Sequence, residues 1–151
     1  MKGLYYMNES DIVAEWLQIA YDDYDSAKYL FDRPVRKPLE IICYHCQQSV
    51  EKSLKAFLCA NNADISKTHD TGFLNQKCME FNKSFSEFQQ ICEELTIYAT
   101  ETRYPIRIEV SEPNTERLLH QALEIYNFVY ALLNPPIDDD INSQLINGLD
   151  I

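Results

Sequence analysis

The chain has 151 residues, of which 46% are hydrophobic, and it contains only three glycines and six prolines, a composition typical of one compact helical domain. Its formal net charge of −11 argues against non-specific binding to DNA, because an acidic surface repels the phosphate backbone. The sequence shows no secretion signal and no apolar run long enough to span a membrane, so we expect a cytoplasmic protein with no membrane partner.

The first predicted helix covers residues 11–31, with Asn8 or Ser10 as its N-cap. Apolar residues, including Trp16, recur on one of its faces at the helical period. We expect three acidic residues of this helix to face water: Asp22, Asp23 and Asp25. The segment 33–38 begins with ArgPro and ends with LysPro, and its prolines break the helix.

The second predicted helix runs from Pro38 to about Ala60 and carries the most informative pattern in the chain. Its apolar face is expected in the core: Leu39, Ile42, Cys43, Cys46, Val50, Leu54 and Phe57. A polar row lies on the opposite face at spacing i, i+3, i+7 and i+10, and consists of His45, Gln48, Lys52 and Lys55. Glu51 flanks this row. We expect the row to point away from the core.

Three further patterns predict the remaining helices. A short helix passes through Phe73 and Met79, and a fourth covers about residues 85–102. Pro105 prevents the fourth helix from continuing through the segment that follows. Pro113 opens the last helix, which ends at a proline pair after Asn134.

These elements together predict an all-α fold. We expect an up-and-down bundle of four to five antiparallel helices over residues 8–134, because short connections place successive helices side by side. The remaining residues, 135–151, are expected to form an acidic, flexible tail.

The five cysteines favour reduced, buried thiols, because their number is odd and they occupy apolar helix positions. Cys43 and Cys46 enclose His45, a spacing that also suits half of a zinc site. No second pair follows, and on a helix His45 points away from Cys46. We therefore predict core packing, with neither a metal nor a cofactor.

Four motifs occur in order: Trp16, the run CysTyrHisCysGlnGlnSerValGluLysSerLeuLysAlaPheLeu at 43–58, LysThrHisAsp at 67–70, and ThrArgTyrPro at 102–105. Together they resemble the HEPN family over residues 12–133. The resemblance implies a four- or five-helix bundle that is usually a homodimer and is often encoded beside a minimal nucleotidyltransferase. Some such pairs resemble toxin–antitoxin modules in which the HEPN protein is a ribonuclease.

The nuclease motif that this resemblance would imply is not matched. HEPN ribonucleases carry an arginine, four to six residues of any type, and then a histidine. No histidine occupies the required positions after Arg103 or Arg107, and Arg117 precedes His120 by only three residues. We therefore expect a protein that is not an enzyme, or a ribonuclease if it is one.

The resemblance and the residue types mark a candidate surface for a nucleotide, RNA or partner protein: His45, Gln48, Lys52, Lys55, His69, Arg103 and Tyr104. Imidazole, ammonium and guanidinium groups form charge-assisted hydrogen bonds with phosphate, and an exposed tyrosine can stack on a base. Plainer roles stay open. The polar row can be a solvated helix face, His69 can belong to a capping turn, and Arg103 and Tyr104 can cover a helix end.

Three functional hypotheses follow. The first is a homodimeric module that binds a nucleotide or a nucleotidyltransferase partner. The second is a ribonuclease of atypical geometry, with Arg103 meeting His120 or His69 across a dimer cleft. The third is a purely structural interaction module.

Overall fold

The computed structural model describes residues 8–65, 67–99 and 109–135. The described residues form five α-helices and no strand, so the predicted all-α fold is confirmed. The helices are α1 (Glu9–Phe31), α2 (Leu39–Ala60), α3 (Thr71–Met79), α4 (Gln89–Leu95) and α5 (Glu112–Leu133). Two short 3₁₀ helices, Lys83–Phe88 and Thr96–Tyr98, flank α4.

The helix starts follow the capping signals of the sequence. The Asn8 side chain accepts a hydrogen bond from the backbone N–H of Asp11 at 2.9 Å, which identifies Asn8 rather than Ser10 as the N-cap of α1. Asp70 caps α3 by accepting from the N–H of Phe73, and Ser111 caps α5 just before Pro113.

The fourth predicted helix is shorter than expected. Residues 83–88 form a 3₁₀ helix rather than the start of an α-helix, and α4 itself ends at Leu95. One cause is Asn75, whose side-chain amide donates to the Phe85 carbonyl at 2.9 Å, while the Gln89 N–H bonds to Ser86 in the tighter 3₁₀ pattern. The predicted end at residue 102 lies outside the described residues.

α2 is the central helix of the bundle, because α1, α3 and α5 all pack against it. Its fully buried apolar residues include Ile42, Leu54 and Leu58. Cys43 and Cys46 are also fully buried, so their predicted core packing is confirmed. Burial raises the pKa of both thiols, which keeps them protonated and unreactive at neutral pH.

Within the described ranges, no helix has the length and apolarity required to cross a lipid bilayer. The predicted tail beyond Pro135 lies outside the described residues, so its flexibility stays a prediction.

Candidate functional site

The site is built around Glu51, a fully buried carboxylate in the middle of α2. Its Oε1 atom accepts hydrogen bonds from two ammonium groups, Lys52 Nζ at 2.8 Å and Lys55 Nζ at 2.9 Å. Its Oε2 atom accepts a bond from the Nδ1 atom of His69 at 3.0 Å. The residue that the sequence placed beside the polar row is therefore the centre of a charged cluster, which we call the Glu51 cluster (Glu51, Lys52, Lys55 and His69).

The protonation state of Glu51 follows from these contacts. Burial alone would raise its pKa, but the hydrogen bonds from Lys52, Lys55 and His69 outweigh burial and lower the pKa to about 2. Glu51 is therefore ionised at neutral pH. Two ammonium groups face one carboxylate, so the Glu51 cluster carries an excess of positive charge within a chain whose net charge is −11.

Two glutamines complete the hydrogen bonding around the carboxylate. The Gln47 side-chain amide donates to Glu51 Oε2 at 3.3 Å and to the backbone carbonyl of His69 at 2.9 Å. The Gln48 amide nitrogen donates to Gln47 Oε1 at 2.6 Å. These bonds tie the segment before α3 to α2, and they hold His69 in place from both its backbone and its ring.

The prediction that the whole polar row points away from the core was wrong. Lys55 is only 5% exposed, because neighbouring helices cover α2 on several sides and Glu51 supplies the buried partner that the ammonium group needs. His45, Gln48 and Lys52 are half-buried. The row therefore lies on a partly covered strip of surface beside α1 rather than on an open helix face, and the Lys52 side chain keeps 16% of its surface accessible. We call this strip, which consists of Trp16, Asp23, His45, Gln48 and Lys52, the groove.

Trp16 of α1 forms one wall of this groove. The Lys52 and Lys55 ammonium groups lie 5.7 and 5.8 Å from the centroid of its ring, within the range of a cation–π contact. Trp16 is the only tryptophan in the sequence. Its fluorescence therefore reports directly on the Glu51 cluster.

A second charged pair lies further along the same groove. Asp23 of α1 and His45 of α2 meet at 2.9 Å between Oδ1 and Nδ1, with side chains 20% and 27% exposed. The expectation that Asp23 faces water was therefore wrong. Asp23 follows Trp16 by two helical turns, so both side chains face α2, and this spacing was the available sequence signal.

His69 combines the two roles considered for it. Its ring contacts Glu51, while the neighbouring Thr68 and Asp70 form the predicted capping turn. Thr68 Oγ1 accepts from the Asp70 N–H at 3.1 Å, and Asp70 caps α3.

Of the remaining residues considered, two lie outside the described ranges and one lies on α5. Arg103 and Tyr104 lie outside the described residues. His120 is exposed on α5, next to Arg117, which pairs with Glu94 and donates to Gln121 at 2.9 Å. Among the described residues, no group of three or more histidine, cysteine, aspartate or glutamate side chains is arranged to hold a metal ion.

The arrangement of helices and motifs can be compared with known proteins. A search of curated proteins found no match to the chain. The model of the HEPN domain family matches residues 13–132, a stretch that includes the groove between α1 and α2 and the whole Glu51 cluster. Because this match covers well over half of the chain and agrees with its all-α bundle, the protein belongs to the HEPN family.

Proposed function

We propose that this HEPN-family protein is a homodimeric module that binds a nucleotide in the groove between α1 and α2. We further propose that it acts with a partner protein, for which a minimal nucleotidyltransferase is the candidate, in a pair of the toxin–antitoxin type. The nucleotide part rests on the Glu51 cluster, and the partner part rests on the surface beside it.

The observation that carries nucleotide binding is the position of the Lys52 ammonium group. A lysine has three N–H donors, and Lys52 gives one to Glu51 while its side chain stays partly accessible. Glu51 also fixes the ammonium in one place, which reduces the entropy lost when a ligand binds. A phosphate at the mouth of the groove would meet a positive charge that is already oriented.

Partner binding is supported by apolar residues on the exposed side of α1. Ile12 and Ile19 are each 38% exposed and lie on the same stripe of the helix as Trp16. Apolar side chains beside a charged groove are suited to a protein contact, since the apolar surface supplies affinity and the charges supply specificity. The homodimer itself is expected from the family resemblance.

Trp16 fluorescence and calorimetry test the nucleotide part. We expect ATP or another ribonucleoside triphosphate to change the fluorescence emission of Trp16. Inorganic phosphate should compete with the nucleotide at higher concentration. Lys52→Ala should weaken binding about tenfold or more, since a charge-assisted hydrogen bond is lost. Lys83→Ala is the matched control, because Lys83 is an exposed lysine on the 3₁₀ helix before α4.

Sedimentation of the protein alone, and with a co-encoded nucleotidyltransferase, tests the partner part. We expect a dimer alone and a complex with the enzyme, weakened by Ile19→Asp. The proposed function is rejected if no nucleotide binds, the chain sediments as a monomer and no complex forms.

A further inference from the structure

The floor of the groove offers two hydrogen-bond acceptors next to the Lys52 ammonium group. We propose that the groove selects ribonucleotides over deoxyribonucleotides. His45 Nε2 and Gln48 Oε1 accept hydrogen bonds from the ribose hydroxyls while a phosphate of the same molecule contacts Lys52. This inference rests on the nucleotide binding proposed above and names the sugar as the group that the site reads.

Asp23 determines which ring nitrogen of His45 can accept a hydrogen bond from a ligand. A carboxylate can only accept, so the Nδ1 atom of His45, 2.9 Å from Asp23 Oδ1, carries a hydrogen. In the neutral form of the ring, the tautomer that this contact selects has its lone pair on Nε2, the nitrogen that does not contact Asp23. Asp23 is therefore a positioning residue: it fixes both the orientation of the ring and the nitrogen that is offered to a ligand.

Gln47 and Glu51 orient the side-chain amide of Gln48, so that its oxygen can accept a hydrogen bond from a ligand. The Gln48 amide nitrogen donates to Gln47 Oε1 at 2.6 Å and lies 3.4 Å from Glu51 Oε2, so the amide group cannot turn over without facing these acceptors with its oxygen. The Oε1 atom of Gln48 receives no hydrogen bond from any residue in the described ranges. On a half-buried side chain, such an oriented oxygen is available to a hydroxyl or amine of a ligand.

The spacing along α2 suits a sugar phosphate. His45 and Gln48 are separated by a rise of about 4.5 Å, and Gln48 and Lys52 by a rise of about 6 Å. Neighbouring ribose hydroxyls can bridge the first interval, and the 5′-phosphate of the same sugar can reach across the second. Along α2, the two acceptors His45 and Gln48 come first and the Lys52 cation follows. Along a nucleotide, the two ribose hydroxyls come first and the 5′-phosphate follows, so the two orders agree.

Adjacent donors also occur on the edge of a base, such as guanine. We favour the ribose because a base edge lies farther from the 5′-phosphate than the sugar hydroxyls do, whereas Gln48 and Lys52 are only one helical turn apart. The two sources are separable by experiment, because deletion of a hydroxyl leaves the base unchanged.

The test compares the binding of nucleotides that differ by one hydroxyl to the unmodified protein. Dissociation constants for ATP, GTP, CTP and UTP are measured by Trp16 fluorescence and calorimetry beside those of their 2′-deoxy forms. We expect each 2′-deoxy form to bind about three- to tenfold more weakly, the loss of one neutral hydrogen bond. Equal binding of both sugars, or a preference that follows only the base, would overturn the inference and leave nucleotide binding intact. Absence of binding by every nucleotide would overturn both.

Two variants assign the effect to the named atoms. Gln48→Met removes the acceptor at similar side-chain size, and Asp23→Leu removes the hydrogen bond that orients the His45 ring. The variant at the acceptor of the 2′-hydroxyl should reduce the ribose preference towards one while binding of the 2′-deoxy form stays nearly constant. The variant at the acceptor of the 3′-hydroxyl should weaken binding of both forms alike. Gln76→Met is the matched control, since Gln76 is exposed on α3, and it should keep the full preference. If both site variants keep it as well, the assignment to His45 and Gln48 is wrong, and thermal unfolding checks that each variant is folded.

Discussion

Lys55 donates to the carboxylate of Glu51 one helical turn earlier, with 2.9 Å between Nζ and Oε1, and both side chains are almost completely shielded from water. An isolated charge at either position would be very unfavourable, so each residue depends on the other. The pair also gives Lys52, which bonds to the same oxygen atom at 2.8 Å, a fixed place at the mouth of the groove.

Removal of the Glu51 carboxylate should strongly destabilise the fold. Glu51→Ala leaves the Lys55 ammonium buried without its partner, for which we expect a loss of about 3–5 kcal/mol in the free energy of unfolding. Urea denaturation followed by circular dichroism measures this. Glu124→Ala, a change at an exposed position of α5, should cost less than about 0.5 kcal/mol. Similar losses in the two variants would contradict the central role of Glu51.

The stability contributed by Glu51 should be lost in acid. Its pKa is about 2 in the folded protein against an ordinary value of 4.5, so the folded state favours the ionised form. The contribution is fully present above the unfolded pKa of 4.5 and is lost as the pH falls towards 2; it amounts to about 3 kcal/mol. Urea midpoints measured between pH 6 and pH 2 should fall more steeply for the natural protein than for Glu51→Gln. Parallel curves would show that Glu51 is not the group that titrates.

The two lysines should separate stability from binding. They bond to the same oxygen of Glu51, but the Lys52 side chain is 16% exposed and that of Lys55 only 6%. We expect Lys55→Ala to cost about 3 kcal/mol or more, since it leaves a buried carboxylate short of a partner, and Lys52→Ala about 1 kcal/mol. Nucleotide titrations of Lys52→Ala should nevertheless show the weaker binding. Equal losses of stability would mean that Lys52 and Lys55 are not distinguished by burial.

Purified protein should leave structured RNA intact, because no histidine follows an arginine at the spacing that HEPN ribonucleases use. Gel electrophoresis after prolonged incubation measures this. Cleavage that disappears both in Arg103→Ala and in His69→Ala or His120→Ala would replace the binding module with the ribonuclease of atypical geometry. Cleavage that persists unchanged in these variants, purified in the same way, would instead come from a contaminating nuclease.

The helices could be predicted because their apolar residues repeat at the helical period, and because Asn8, Asp70 and Ser111 are strong capping residues. The residues that face the groove could be placed on the correct helix for the same reason. The pattern of one helix also shows which residues share a face, and His45, Gln48 and Lys52 do line one groove.

The degree of burial could not be predicted in this way. The sequence of a single helix predicts one buried face and one solvent-exposed face. α2 packs against α1, α3 and α5, so little of its surface remains exposed. Lys55 and Asp23 were misjudged for this reason, since Lys55 is covered by neighbouring helices, including Trp16 of α1, and Asp23 is half-buried against His45 of α2. Arg103 and Tyr104 remain predictions, because they lie outside the described residues.

The buried polar side chains of α2 also limit how the helices can slide past one another. Apolar side chains tolerate small translations, but the Glu51 carboxylate meets its donors from α2 and from the segment before α3 in only one alignment. We expect that replacing Glu51, Lys52 and Lys55 together by leucine or methionine would yield a protein that still collapses into helices but has broadened amide NMR signals. That result would show that the buried charges fix a single alignment of the helices in this bundle.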